Sequence, residues 1–376
     1  MKKMFFMAAI AGVALASCAK NEVETPEQDI ITFAEPVTAV QTKAVEIVGN
    51  YPESQNFSVF AHYYVDKYTS FDDNFIYMKN VETAYSTAVE GWDSKAAGGV
   101  NYYWPKQGTL TFAAYSPTDA EGDMESLKYT ANGFKFTNFS VLADANEQYD
   151  LLFSERAYNQ TKSTMNTSAN PYKGVELQFN HALSSIVFYA KSDINYQADN
   201  FKITINKIDL KGIYSTGSFN QNLVDTDQAK TSETWVGWTG QKNAIDYTAF
   251  TGDLDLTVDN TLVSVVDDDD DTTTITPGEN DKQNSHLILL PQGLSNAKLY
   301  IEYTITNSNV NPVLAITQNA TLDLATSNVD NWFRGKRYNY HLTFGLDKIY
   351  FDPVVTNWDN KYAGSFTVGS SQEKTN

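Results

Sequence analysis

The chain of 376 residues contains one cysteine, Cys18, so no disulfide bond can form within it. Histidine is scarce as well: His62, His181, His286 and His341 lie far apart, and no two have the spacing of a metal-binding motif. We therefore expect the four histidines to be structural. The chain also lacks a Gly-x-Ser-x-Gly elbow, a Walker loop and a Gly-x-Gly-x-x-Gly motif. These absences argue against an enzyme, and no cofactor is expected.

Basic residues are few: 27 lysines and arginines against 46 aspartates and glutamates give a net charge of −19. Repulsion between like charges argues against nucleic acid or an anionic lipid surface as a partner. A sustained 3.6-residue apolar period is missing, whereas Tyr, Phe, Thr, Val and Ile recur in short runs, which favours an all-β fold. The hydrophobic content of 42% is sufficient for packed cores.

The N-terminus has the layout of a secretory signal, with Lys2 and Lys3 followed by an apolar stretch over residues 4–14. That stretch is shorter than the roughly 20 residues of a membrane-spanning helix. Leu15-Ala16-Ser17-Cys18 resembles the bacterial lipobox, in which the cysteine is lipidated and begins the mature protein. We therefore predict a signal peptide over residues 1–17 and lipidation at Cys18. An ordinary signal peptide that happens to contain a cysteine is the alternative.

Many short strands at close spacing predict β-sandwich architecture, with two sandwiches in tandem. Residues 57–65 form a strong strand pattern, and Asn132-Gly133 is the best short hairpin signal. Residues 201–208 alternate strictly between apolar and polar, which predicts one solvated face.

A polar stretch over residues 154–173 predicts an interdomain linker. It places an N-terminal domain at residues 44–171 and a C-terminal domain at residues 172–376. Residues 221–284 are polar and weakly patterned, and we expect extended loops or short strands there.

Two segments are weak candidates for ligand binding. Asp267, Asp269 and Asp271 belong to a run of five aspartates that could offer oxygen ligands to Ca²⁺. Consecutive side chains alternate in direction on an extended chain and no turn glycine is present, so a solvated loop is favoured. The Trp235–Trp238 region could stack on sugars or anchor a core. A glycosidase would need only two well-placed carboxylates, which a sequence does not reveal.

Several motifs occur in an order that covers nearly the whole chain, with residues 221–284 as the main uncovered part. Together they resemble the fimbrillin family, the type V pilus subunits of Gram-negative anaerobes. Besides the lipobox at Cys18, they are Tyr102-Tyr103-Trp104-Pro105, Phe112-Ala113-Ala114-Tyr115-Ser116-Pro117, Tyr149-Asp150-Leu151-Leu152, Leu177-Gln178-Phe179-Asn180-His181-Ala182-Leu183-Ser184-Ser185-Ile186, Leu287-Ile288-Leu289-Leu290-Pro291-Gln292, and Gly335-Lys336-Arg337-Tyr338-Asn339-Tyr340-His341-Leu342 leading to Val354 and Trp358.

The resemblance implies two tandem transthyretin-like Greek-key β-sandwich domains and no catalysis. It also implies a lipidated precursor on the outer membrane, whose first strand is removed by a trypsin-like protease. The opened groove then accepts a strand from a neighbouring subunit. In this chain the removable part would be residues 18–43, with cleavage after Lys43. The first arginine is Arg156, so an arginine-specific protease would not serve.

The donated strand would lie after Trp358, over residues 361–369, where Tyr362, Phe366 and Val368 share one parity. A tail that frays is the alternative. Expected partners are other pilus subunits or another copy, the outer membrane through the lipid anchor, and possible host surface proteins or glycans. The main rival is a surface lipoprotein that binds a glycan or host ligand without polymerising; a surface hydrolase is the third alternative. Stalk, tip and anchor roles all stay open.

Overall fold

The computed structural model describes residues 29–38, 51–162, 174–193, 200–221, 237–256, 263–264, 287–346, 348–358 and 372–373. Strands dominate these residues, and short 3₁₀ helices occur at Asp73–Phe75, Thr118–Asp123 and Ala145–Glu147. The predicted all-β fold is confirmed. Within the described part of the chain, no helix is long and apolar enough to cross a membrane.

The strands, numbered in chain order, are β1 (Val37–Thr38), β2 (Phe57–Tyr64), β3 (Ile76–Ser86), β4 (Gly91–Asp93), β5 (Thr109–Ser116), β6 (Glu125–Thr130), β7 (Gly133–Ser140), β8 (Leu152–Ser154), β9 (Ala157–Gln160), β10 (Gln178–His181), β11 (Ser184–Ser192), β12 (Phe201–Asn220), β13 (Trp238–Asp255), β14 (Val263–Ser264), β15 (Leu287–Leu289), β16 (Lys298–Asn307), β17 (Leu314–Asp323), β18 (Lys336–Phe344), β19 (Ile349–Asn357) and β20 (Gln372–Glu373).

These strands form three sheets. The first sheet has the order β1-β10-β8-β5-β2-β3-β4, with β9 beside β5. The second has the order β17-β16-β12-β7-β6, with β13 beside β12, and the third has the order β14-β11-β18-β19-β20, with β15 beside β11. Most pairs are antiparallel, whereas β1 with β10 and β11 with β18 are parallel.

The central strands β2 and β5 of the first sheet are buried on both faces, which explains their nearly continuous apolar character. In β2, Phe57 and Val59 enter one core and Phe60 enters another. The hairpin β6–β7 covers the Phe60 face, where the Phe134 ring lies 5.5 Å from Phe60 and 5.1 Å from Phe153. The same hairpin continues into the second sheet through β12, so the core of the second and third sheets reaches the first sheet.

The predicted hairpin is confirmed: β6 and β7 are antiparallel, Thr130 pairs with Gly133, and Gly133 has the positive φ of 95° that the turn requires. The strict alternation predicted for residues 201–208 holds only as far as Ile205. A register shift between Ile205 and Lys207 moves the buried parity to Ile208 and Leu210.

The expectation of loops or short strands over residues 221–284 is wrong for Trp238–Asp255, which forms the 18-residue strand β13. It pairs along β12 with four register shifts, and most of its side chains are exposed. Within the predicted linker, residues 157–160 form β9 and pair with β5. Strand pairing also crosses residue 171, since β10 pairs with β8 and β12 pairs with β7. The domain boundary stays a prediction.

Candidate functional site: the strand groove of the first sheet

Residues 29–38, which we call the inserted segment, run as an extended chain between two other parts of the protein. On one side, four backbone hydrogen bonds join the segment to residues 92–104: Ile31 N–H to Tyr102 C=O (2.8 Å), Phe33 N–H to Trp92 C=O (2.8 Å), Trp92 N–H to Phe33 C=O (2.9 Å) and Trp104 N–H to Asp29 C=O (2.9 Å).

On the other side, the inserted segment pairs in parallel with residues 175–179. Three backbone hydrogen bonds form there: Val175 N–H to Thr32 C=O (2.8 Å), Ala34 N–H to Val175 C=O (3.0 Å) and Val37 N–H to Leu177 C=O (2.9 Å). The segment is therefore bonded on both edges, as an interior strand of a sheet would be. We call the two flanking stretches, residues 91–104 and 174–179, the groove walls.

Apolar side chains of the inserted segment fill the core beneath the groove. Phe33 is 1% exposed and meets the rings of Phe57 and Phe112 edge-on, at centroid distances of 5.7 and 5.6 Å. Ile31 lies two residues earlier on the same side and is also buried. By area burial, each of these side chains contributes roughly 1.5–3 kcal/mol of stabilisation.

Gly174 lets one groove wall approach the inserted segment closely. Its φ of +110° is unfavourable for other residues, and a Cβ at this position would lie 2.5 Å from the carbonyl carbon of Phe33. A side chain here would therefore push the wall away from the segment and weaken the bonds made by Val175.

The chain re-enters the same core at Tyr51, the first described residue after Thr38. The Tyr51 ring stacks on Phe179 at 5.9 Å, and its hydroxyl lies 2.6 Å from the Ser116 Oγ. Burial raises the pKa of Tyr51 well above its ordinary value of 10.0. The phenol is thus neutral and serves as a fixed anchor immediately after the groove.

Strand β10, which belongs in part to a groove wall, ends at a second cluster formed by His181, Asp150 and Trp358. Trp358 is the residue at which the C-terminal tail begins. The His181 Nδ1 lies 2.7 Å from the Asp150 Oδ2. The same imidazole stacks on the Trp358 indole, with 4.2 Å between centroids and 11° between planes. One short strand therefore contacts both the inserted segment and the residue after which the predicted donor strand begins.

Most of the site residues predicted from the sequence lie outside the described residues. They are Cys18, Lys43, Asp267, Asp269, Asp271, Tyr362, Phe366 and Val368. His286 also lies outside them. Among the described residues, no group of three His, Cys, Asp or Glu side chains could hold a metal ion.

The described histidines do not come together. His62 and His341 are buried or half-buried in separate strands, and burial lowers the pKa of each below 6.5. Of the two alternatives for the tryptophan-rich segment, the core anchor holds for Trp238. It is 1% exposed, and its indole N–H donates to the Ala182 carbonyl at 2.6 Å.

Sequence reasoning missed two residues that shape the groove, Trp92 and Gly174. Trp92 belongs to a strand of three residues, too short for any period-2 signal, although it bonds Phe33 from both its N–H and its C=O. A glycine directly before the alternating run that starts at Val175 was the one available signal for Gly174.

The fold is thus that of an all-β protein whose first described segment lies between two groove walls. Similarity to known proteins places the chain in a family. Residues 42–358 match the family described as fimbrillin-like, and the chain belongs to that family. Among curated proteins, none matches the chain.

Solved structures are similar over most of the chain. A fimbrial protein from Bacteroides vulgatus is 15% identical with a TM-score of 0.56, over 87% of this chain and 99% of that one. A candidate cell adhesion protein from Bacteroides uniformis is 13% identical with a TM-score of 0.49, over 88% and 98%. The fimbrial anchor protein Mfa2 from Porphyromonas gingivalis is 11% identical with a TM-score of 0.29, over 87% and 98%. The first likeness supports a shared fold.

Proposed function

We propose that this protein is a structural subunit of a cell-surface pilus and joins its neighbours by exchanging strands. The observation that carries the proposal is the inserted segment. Residues 29–38 make at least seven backbone hydrogen bonds to the groove walls and place Ile31 and Phe33 in the core. Membership of the fimbrillin-like family supports the same role, together with a place on the cell surface and a part in adhesion.

Removal of the inserted segment would leave a groove with unpaired backbone groups and an exposed apolar floor. The walls would lose partners for backbone groups of Trp92, Tyr102, Trp104, Val175 and Leu177. The rings of Phe57 and Phe112 would lose their contact with Phe33. Unpaired strand edges above an apolar cavity are costly, and strand addition from another chain satisfies both needs at once.

The C-terminal tail is the proposed donor. Phe366 and Val368 are two residues apart, as are Ile31 and Phe33, so each pair directs its side chains to one face of an extended chain. Tyr362 has the same parity and would add a third apolar contact farther along the groove. The tail begins at Trp358, which stacks on His181 at the end of a groove-wall strand.

The proposed cleavage site lies where a cut would separate two anchored parts. Lys43 falls between Thr38, at the end of the inserted segment, and Tyr51, which is fixed in the core by Phe179 and Ser116. A cut there would free residues 18–43 without releasing the rest of the domain. Lipidation at Cys18 would hold the precursor at the outer membrane until that cut. The two tandem domains, 44–171 and 172–376, are part of this proposal.

Limited trypsin treatment of the folded protein tests the proposal. We expect early cleavage after Lys43, release of the N-terminal fragment and growth of polymers visible by electron microscopy and size-exclusion chromatography. Lys43→Gln should block both steps. Lys67→Gln, at an exposed loop lysine outside both groove walls, is the matched control and should polymerise normally.

Deletion of every residue after Trp358 should leave a cleaved but monomeric protein, because no donor remains. Normal polymers from that truncated chain would show that the donor lies elsewhere. Cleavage after Lys43 with retention of the fragment and no polymer would instead favour a non-polymerising lipoprotein that binds a glycan or host ligand, or a tip or anchor subunit that keeps its first strand.

A further inference from the structure

The strand β17 has an unusual surface. It is the last strand of the second sheet and pairs only with β16 among the described strands. Residues 311–319 are all exposed. Four of the thirteen exposed large apolar side chains in the described residues fall within seven positions: Val310, Val313, Leu314 and Ile316.

This edge also lacks the charges that usually protect exposed strands. Residues 303–322 form a run of 20 uncharged residues in a protein of net charge −19. Natural edge strands commonly carry lysines or other charges that prevent pairing with a further chain. Two copies of a protein with this net charge repel each other, and residues 303–322 add no charge to that repulsion.

The backbone alternation along β17 identifies which groups face outward. Leu324 N–H donates to Ala297 C=O at 3.0 Å, one step beyond the Lys298–Asp323 pair. Hydrogen-bonded pairs recur at every second residue of an antiparallel ladder, so even-numbered residues bond to β16. The odd-numbered residues, including Ala315 and Thr317, therefore direct their N–H and C=O groups away from β16.

An apolar row crosses the second sheet and ends at this edge. Ile203 pairs with Ile305, which pairs with Ile316. Exposure increases along the row from 1% at Ile203 to 48% at Ile316. One more strand carrying an aliphatic residue at the next position would continue the row and bury Ile316.

We propose that β17 pairs with β17 of a second copy, antiparallel and about a two-fold axis at Ala315. This register uses outward backbone groups on both copies, and it sets Leu314 opposite the second copy's Ile316 and the reverse. The apolar row then continues across the interface. The short overlap makes this a weak, concentration-dependent contact between two folded subunits. It uses neither the strand groove nor the C-terminal tail and is independent of the proposed polymerisation.

Disulfide trapping tests the register in the full-length protein carrying Cys18→Ser, which removes the native thiol. Ala315→Cys in that background should form a covalent dimer under mild oxidation, because Cα atoms of a hydrogen-bonded antiparallel pair are about 5.5 Å apart. Thr321→Cys is the matched control: it is exposed and outward-facing on the same strand but lies beyond the overlap, and it should remain monomeric. Equal trapping at both positions would overturn the proposal.

Sedimentation equilibrium tests the association itself. Ile316→Lys should raise the dimer dissociation constant about tenfold or more, since it places a desolvated charge in the paired strands. Ala315→Pro should do the same by removing an outward donor while leaving the bonds to β16 intact. Val65→Lys, at another exposed valine, should leave the constant unchanged. A protein that is monomeric at every concentration, or dimers unaffected by both edge variants, would overturn the proposal.

Discussion

At the scale of single residues, Phe33 provides much of the packing that keeps the inserted segment in the groove. Phe33→Ala should lower the free energy of unfolding of the uncut protein by about 3–5 kcal/mol, because it leaves a cavity between Phe57 and Phe112. Urea unfolding measures the change. Val65→Ala, at a residue that is 71% exposed, should alter it by less than about 0.5 kcal/mol. A loss at Phe33 as small as that at Val65 would contradict the buried role.

His62 makes stability depend on pH. Burial holds the pKa of His62 below 6.5, Arg156 acts in the same direction, and Asp72 and Asp73 oppose it. The unfolded chain therefore binds a proton more readily than the folded one, so stability is intact above about pH 6.5 and falls as the pH decreases below it.

His62→Gln should flatten that decline, because glutamine does not titrate. Urea midpoints at about pH 7.5 and about pH 5 provide the measurement. The decline should persist in part, since burial also lowers the pKa of His341. Lys95→Gln should leave the decline unchanged, and an identical pH profile for His62→Gln and the wild-type protein would show that His62 titrates normally.

At the scale of elements, the groove should select a strand by its side-chain pattern. A synthetic peptide of residues 361–369 is expected to bind the cleaved protein truncated after Trp358, whose groove is open once the fragment is released. It should not bind the uncut protein, whose groove is occupied. Fluorescence anisotropy of a labelled peptide measures this. The same peptide with Phe366→Asp should bind weakly, because it would bury a carboxylate among aromatic rings. Equal binding to cut and uncut protein would place the peptide site elsewhere.

Local patterns were sufficient where strands pair with sequence neighbours. The hairpin β6–β7 was predicted because Asn132-Gly133 is a turn signal between two alternating runs. Strand β13 was missed because its exposed positions are polar and four register shifts break the two-residue period. The groove was only half predicted: the family resemblance implied a removable first strand within residues 18–43, but nothing local indicates that Phe33 lies between Trp92 and Val175.

At the scale of the whole molecule, the proposed lipid anchor at Cys18 would determine where the protein is found. Cys18→Ser should remove acylation and shift the protein from the detergent phase to the aqueous phase in phase-partitioning experiments, because no other cysteine can be modified. Metabolic labelling with a fatty acid provides a second measurement. The double mutant Cys18→Ser with Lys43→Gln should remain aqueous, which separates loss of the anchor from loss by cleavage. Unchanged partitioning of Cys18→Ser would exclude this lipid site.

The groove draws its walls from parts of the chain that are synthesised far apart. Phe33 bonds to Trp92 and, on its other side, contacts Val175, more than a hundred residues later. If the chain crosses a membrane N-terminus first, the inserted segment emerges long before the second groove wall does. Pairing between distant parts of the chain loses loop-closure entropy before any stabilising contact has formed. We therefore expect residues 29–38 to dock late in folding, after the chain has been exported with this segment still unpaired.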